Sequence, residues 1–359
     1  MTYLDYQATT PLAPEAFEAM VPWLREGFGN PHSPHREGRR ARAAVEVARD
    51  QIARSLPIGG TVAFTSGATE ALNWAIKGTA GPIVTIATEH AAVLDTSAAE
   101  ARGGRQVTVL PVGPDGLVDL DRAAEAIRPG TGLVAAMLVN NEIGVIQPVA
   151  ALADLAHAVG AQFLCDAVQG FGREPIPGTA DLIAVSAHKV YGPKGIGALW
   201  VRDGVRLDPL LHGGMQEVAG RSGTLSPALC AGFGAAAGLI AGRLEQDRIH
   251  VERLWTVALE RFDWGKWEVN GSTCHRYHGN LNVRLPGLDV ARLMSDLRDV
   301  AFSAGSACAS GSGRPSHVLQ AIGLPDAVAR GSIRLGWGRY TTEDELATAL
   351  DRIVQAAGA

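Results

Sequence analysis

Ser186-Ala187-His188-Lys189-Val190-Tyr191-Gly192-Pro193-Lys194-Gly195 follows the apolar run Leu182 to Val185 and lies downstream of a second run that ends Cys165-Asp166-Ala167-Val168-Gln169. One stretch offers an amine able to condense with an aldehyde, and the other offers an acid at a strand end. A lone carboxylate at a strand end is more often structural than catalytic, so the pair gains meaning only from its surroundings. Outward from it the pattern alternates. Val149, Leu152, Ala156 and Val159 keep helical spacing, Gly160 ends that helix, and Gln162 to Cys165 reads as a strand. Ile196 to Val201 reads as another buried strand. Strands alternating with helices predict an α/β fold with a mostly parallel sheet covered on both faces. After about residue 240 the alternation weakens. There Asn280 to Leu285 and Ser332 to Gly336 look like shorter strands of a smaller α+β unit, and Thr342 with Glu345 makes a capping-box start for the last helix.

The ends of the other apolar runs are polar. Thr61-Val62-Ala63-Phe64-Thr65 reads as a buried strand, and Ser66-Gly67-Ala68-Thr69-Glu70 turns from it into a helix-like run through Trp74 and Ile76. Free N–H groups at such a helix start, with the helix dipole behind them, bind a phosphate dianion. An ordinary N-cap by Ser66 or Thr69 is the alternative. Ile83 to Ile86 leads to Thr88-Glu89-His90, and Leu133 to Val139 leads to Asn140-Asn141-Glu142-Ile143-Gly144. Open α/β sheets bind ligands just past the carboxyl ends of their strands. A lysine for an aldehyde, an acid for a pyridinium nitrogen and a cradle for a phosphate are the parts that a pyridoxal 5'-phosphate (PLP) site needs.

Further segments join these in a fixed order. They are Tyr3-Leu4-Asp5-Tyr6-Gln7-Ala8-Thr9-Thr10-Pro11, Gly29-Asn30-Pro31-His32-Ser33, Arg221-Ser222-Gly223-Thr224 and Ser303-Ala304-Gly305-Ser306-Ala307-Cys308. Taken together, the chain resembles the cysteine desulfurases of the class V, fold type I PLP family, in the group whose catalytic cysteine sits in a Ser-Gly-Ser-Ala-Cys type of loop. The resemblance runs nearly end to end. It implies a large PLP-binding domain over residues 13–240. Residues 1–12 and 241–359 would form a small domain that carries the Cys308 loop.

By the same resemblance, Lys189 would bond the cofactor aldehyde and Asp166 would pair with the pyridine nitrogen. His90 would stack on the ring, and Gln169 and Asn141 would reach its phenolic oxygen. Ala68, Thr69, Ser186 and His188 would hold the phosphate. Thr224 would reach the phosphate of a neighbouring subunit, which implies a homodimer with shared sites. Arg334, in Ser332-Ile333-Arg334-Leu335-Gly336, would clamp the carboxylate of L-cysteine with a two-pronged contact that lysine cannot copy. Its bland alternative is a structural salt bridge. Two positions depart from the family: Met215 stands where a third glycine is usual, and Val218 where an arginine is usual.

Cys308 lies among Gly, Ala and Ser residues, which suits a thiol that must carry sulfur outward to an acceptor. The implied activity converts L-cysteine to L-alanine and leaves a persulfide on Cys308 for a protein acceptor or scaffold. Of the 4 cysteines, Cys165 and Cys230 read as small core residues. Cys274-His275-Arg276-Tyr277-His278 lacks a second ligand pair at a zinc spacing, so no metal is expected.

A length of 359 residues accommodates two domains, and a net charge of -5 gives no global attraction for nucleic acid or anionic membrane. The arginines of Arg36 to Arg42 are interrupted by Glu37 and read as a solvated helix face. With no signal peptide or membrane-spanning run apparent, a cytoplasmic enzyme is expected. Three readings stay open on residues alone. They are the desulfurase, a selenocysteine lyase or PLP aminotransferase of the same fold, and a non-catalytic partner in a sulfur-transfer complex.

Overall fold

The computed structural model describes residues 1–217, 220–305 and 316–358. Among these residues the central sheet has 7 strands. Across the sheet they run Gly60–Thr65, Gly197–Arg202, Leu182–Ser186, Gln162–Asp166, Leu133–Met137, Ile83–Ile86 and Val107–Leu110. Gly197–Arg202 is antiparallel to both neighbours, and the other pairs are parallel. The sheet is therefore mostly parallel, as the alternating pattern predicts.

Strand residues alternate between two cores because successive side chains leave opposite faces. Val62, Phe64, Val134, Phe163, Cys165 and Trp200 join one core with helices Arg36–Ala53, Val149–Ala158 and Pro227–Gly238. Ala63, Leu133, Ala135, Leu164, Leu182 and Leu199 join another, covered by helices Ala68–Lys77 and Ala91–Arg102. Each fully buried Leu, Ile or Phe contributes about 1.5–3 kcal/mol, so both faces help to hold the strands in register. Cys165 and Cys230 are buried core thiols, as read from sequence. On helix Arg36–Ala53, Arg39, Arg40 and Arg42 are exposed while Ala41, Val45 and Ala48 face the core.

A second sheet of 4 antiparallel strands runs Ser303–Ala304, Ser332–Gly336, Asn280–Arg284 and Glu268–Val269. The amino terminus joins this part of the chain. Thr2–Tyr3 pairs in parallel with Val300–Ala301, and Leu4 lies in the core made by Trp267, Leu281, Ile333, Leu335 and Leu346. The last helix, Glu343–Ala356, starts with the capping box of Thr342 and Glu345. Gly336 is required by a close approach: a Cβ there would stand 1.6 Å from Oε1 of Gln7. The amino-terminal segment is thus held between the second sheet and the carboxyl edge of the first.

The segment that approaches Met215 is anchored by Glu217, which is buried. Its carboxylate accepts from the Phe64 N–H at 2.9 Å and from Arg49 Nη1 at 2.6 Å. Met215 has φ 47°, in the left-handed region that glycine enters freely. A side chain there carries about 1–2 kcal/mol of strain. Val218, the second departure from the family pattern, lies outside the described residues.

Candidate active site

Carboxyl ends of the parallel strands converge on a cavity of about 550 Å³. Ala68, Thr69, His90, Asn141, Asp166, Gln169, Ser186, His188, Lys189 and Arg334 all line it, so ten positions singled out in the sequence come together. Thr224 is exposed and is not part of that lining. Cys308 lies outside the described residues.

Lys189 sits at the end of the short 3-10 turn Ala187–Lys189, directly after strand Leu182–Ser186. Its Nζ donates to the carbonyl oxygens of Gln7 at 2.5 Å and Ala8 at 2.8 Å. Tyr191 follows with φ 64°. That uncommon conformation is held by the Tyr191 N–H donating to Thr10 Oγ1 at 2.8 Å and by Arg339, whose guanidinium lies 4.1 Å from the tyrosine ring. The turn presents the lysine to the cavity, and the amino-terminal segment braces it.

Asp166 is buried at the end of its strand, with Oδ1 accepting from the Val168 N–H at 3.0 Å. Burial pushes its carboxyl above the ordinary range, opposed first by the Val168 N–H and then by the electrostatic influence of the His90 ring and of Lys189. A cationic ring N–H is the partner that such an acid needs in order to stay ionised. His90 caps helix Ala91–Arg102, its Nδ1 accepting from the Ala92 N–H at 3.0 Å. Burial lowers its pKa, and the acceptor role of Nδ1 places the proton on Nε2 of a neutral ring. His188 is likewise pushed down to about 4, by burial first and then by Lys189 and Lys194, and its Nδ1 lies 3.2 Å from Thr9 Oγ1.

The start of helix Ala68–Lys77 differs from an ordinary one. The N-cap of helix Ala68–Lys77 is Gly67, with no side-chain cap. Neither Ser66 nor Thr69 caps it. Ser66 instead donates its N–H to Glu70 Oε2 at 2.7 Å, and Glu70 pairs with Arg221 at 2.8 Å. The acid in the first turn is therefore neutralised, and the uncapped turn faces the cavity through Gly67, Ala68 and Thr69. Asn140 and Asn141 divide the work of their loop. Asn140 Oδ1 accepts from the N–H groups of Glu142 and Ile143, a structural turn, whereas Asn141 lines the cavity.

Arg334 is buried, and the salt bridge weighed from sequence is present. Nη2 pairs with Asp5 at 2.8 Å and reaches Ser303 Oγ at 3.3 Å, while Nη1 donates to the Asn141 carbonyl at 3.1 Å. Nε is buried with no partner among the described residues. Asp5 fixes the guanidinium at the cavity wall and leaves donor capacity unused.

The buried acid Glu89 was not assigned a part from its sequence. Its Oε1 accepts from the Met137 N–H, and Met137 is the cross-strand partner of Asp166. Burial, then the charge of Asp166, drives its pKa well above the ordinary carboxylate range. Because the folded value lies above the unfolded one, the Glu89 contribution to stability is full below about pH 4.5 and is lost as pH rises through the folded pKa. Glu89→Gln has no proton to lose. In cofactor-free protein, the melting temperature of the variant should therefore gain on wild type as pH is raised from about 5 to about 8. Parallel melting curves across that range would show that Glu89 does not titrate there.

Cys274 is exposed and stands apart from this cavity. His278 nearby pairs with Glu252 at 2.7 Å and stacks on Trp255 with ring centres 4.5 Å apart. Among the described residues no group of His, Cys, Asp and Glu is arranged to hold a metal.

Residues 2–348 match the model of the family described as Aminotransferase class-V. The chain belongs to that family. It is 44% identical over 360 residues to a cysteine desulfurase IscS of Rickettsia bellii (strain OSU 85-389), covering 96% of this chain and 88% of the relative. A solved NifS-like protein from Rickettsia africae ESF-5 superimposes with a TM-score of 0.90 at 28% identity, covering 100% of both chains. The structure of SspA in complex with cysteine gives a TM-score of 0.83 at 35% identity, covering 95% of this chain and 100% of that one. The fold is that of the fold type I PLP-dependent enzymes, and PLP is the cofactor. The cavity fits it: an uncapped helix start for the phosphate, a buried acid with a raised pKa for the ring nitrogen, and an amine beside both.

Proposed function

We propose that the protein is a PLP-dependent cysteine desulfurase that converts L-cysteine to L-alanine and places the sulfur on Cys308 as a persulfide. The observation that carries this is the joining of Lys189, Asp166, His90 and the uncapped first turn of helix Ala68–Lys77 in one cavity, with Arg334 at its wall. The cysteine desulfurase relatives support the choice of substrate.

Bound PLP supplies an aldehyde for amines and a ring that takes up the electron pair left when a Cα proton departs. Ala68, Thr69, Ser186 and His188 would hold its phosphate end. Asp166 would accept the ring N–H and keep the nitrogen protonated, which in turn would keep the carboxylate ionised. His90 would pack on the ring as a neutral imidazole. Gln169 and Asn141 would donate to the ring oxygen. Arg334 binds the α-carboxylate of cysteine, and Lys189 removes the Cα proton as general base. The Cys308 thiolate then attacks the substrate sulfur. An S–S bond forms as the carbon–sulfur bond breaks, and its electron pair stays with the carbon fragment that leaves as alanine.

We further propose a homodimer, since Thr224 is exposed and lies off the cavity of its own chain, where it can serve a neighbour's phosphate. Residues 13–240 are read as the large domain, and 1–12 with 241–359 as the small one. The sulfur goes to a protein acceptor, in iron–sulfur cluster assembly or another sulfur pathway. The enzyme is assigned to the cytoplasm, without a nucleic-acid or membrane partner. No single helix among the described residues is long and apolar enough to cross a membrane.

Arg334→Ala should raise the KM for cysteine on the order of thirtyfold or more, since an unmatched charge-assisted contact costs about 2–5 kcal/mol. It should also lower stability, because Asp5 loses its partner. Arg334→Lys separates the two effects: the charge beside Asp5 remains, but the two-pronged contact does not. A normal KM in the lysine variant would make Arg334 purely structural. The proposal as a whole is tested by incubating PLP-loaded protein with cysteine and a reductant. Sulfide and alanine should appear in equal amounts, whereas pyruvate with an aminated cofactor would indicate transamination instead.

A further inference from the structure

We infer that Arg173 is a positioning residue that locks the Gln169 side-chain amide so that it offers an N–H to the ring oxygen of the cofactor. The inference rests on the reading that the cavity binds PLP. Gln169 and Arg173 lie on the turns after strand Gln162–Asp166, and Gln169 is buried at the cavity wall.

Arg173 Nη1 donates to Gln169 Oε1 at 2.7 Å and reaches the Gln169 carbonyl at 3.3 Å. Its Nη2 donates to the Lys189 carbonyl at 2.8 Å. The guanidinium lies 5.2 Å from the centre of the Tyr277 ring. No carboxylate among the described residues pairs with Arg173, so its hydrogen bonds go to two residues of the cavity rather than to a structural salt bridge.

The two ends of a glutamine amide have nearly the same shape, and its orientation is set by its partners. Here both partners agree. Gln169 Nε2 donates to the Gln7 carbonyl at 2.9 Å, while Oε1 faces the guanidinium. A flipped amide would set NH2 against a cation and its oxygen against the Gln7 carbonyl, two repulsive contacts replacing two attractive ones. The locked NH2 has two hydrogens, and Gln7 takes one. The other is left for the cavity. Because the same guanidinium holds the Lys189 carbonyl, one cation sets the amide donor and the backbone of the reactive amine together. Lysine, a point charge, cannot hold both sites in one plane.

The test uses PLP-loaded wild type and the variants Arg173→Gln, Arg173→Lys, Gln169→Ala and Gln169→Ala/Arg173→Gln. The readouts are the ratio of the visible to the near-ultraviolet cofactor band at fixed pH and the PLP dissociation constant. A donor on the ring oxygen favours its deprotonated, visible-absorbing form. Arg173→Gln should therefore lower the band ratio and weaken PLP retention roughly two- to tenfold, the worth of one net hydrogen bond. Arg173→Lys should restore part of the ratio, and it carries the comparison if the glutamine variant does not fold. Gln169→Ala should shift the spectrum in the same direction, and the double variant should fall well short of the sum of the two single effects, since both residues act on the Gln169 amide donor. A wild-type ratio in both arginine variants, or a double variant that adds the two effects, would overturn the inference while leaving the cavity assignment intact. A wild type that stays colourless with PLP would instead remove the cavity reading and the inference with it.

Discussion

Lys189→Ala protein, reconstituted with PLP, should lack the yellow colour of wild type and lose turnover of cysteine by on the order of 10²–10⁴-fold or more, the range that a positioned proton-transfer group supplies. Two functions disappear together in this variant. The amine that bonds the cofactor aldehyde is gone, and so is the base for the Cα proton. The cavity should survive, because the Tyr191 N–H donates to Thr10 Oγ1 and so holds the amino-terminal segment independently of the lysine side chain. PLP should therefore still bind, without the covalent link. Borohydride should bleach wild type and fix the cofactor mass on the peptide containing Lys189, and it should do neither in the variant. Full turnover in Lys189→Ala would remove the lysine from the chemistry.

Cys308→Ser has an equally large expected effect at a different step. Proton removal at Cα needs Lys189 and no thiol, so the variant should keep its cofactor spectrum and still change colour on adding cysteine. Sulfide release should fall to background, because a serine hydroxyl is too weak a nucleophile toward sulfur at neutral pH. Paired measurement of spectrum and sulfide distinguishes this from a folding defect, which would alter both. If alanine production from cysteine continued at the wild-type rate, the lyase or aminotransferase reading would replace the desulfurase.

Much of the site was legible in the sequence because its parts sit at strand ends. Asp166, Lys189, His90 and Asn141 each follow an apolar run, and a parallel sheet brings such positions to one edge. Strand direction was not legible: Ile196 to Val201 reads as a buried strand, but an apolar run does not reveal that Gly197–Arg202 runs against both neighbours. The first turn of helix Ala68–Lys77 has serine and threonine at hand as caps, yet Gly67 occupies the N-cap. The N-cap is decided by how the strand enters the helix, which the local sequence does not encode. Contacts across the chain left no local trace either. The carbonyls of Gln7 and Ala8 meet Lys189 from 182 and 181 residues away, a pairing that no spacing rule contains. Arg173 carries no motif because its targets are an amide and a carbonyl, which any arginine can address. Glu89 lies in Thr88-Glu89-His90 at a strand end, but its neighbour Asp166 approaches through the Met137 pairing and not through sequence.

The most direct test is mass spectrometry of peptides from PLP-loaded wild type after brief exposure to cysteine without reductant. The expected result is a mass increase of one sulfur atom on the peptide containing Cys308, reversed by reductant, with Cys165 and Cys230 unmodified in their buried sites. Sulfur found on the Cys274 peptide instead, or alanine formed with no added sulfur on any cysteine, would contradict a persulfide route through Cys308.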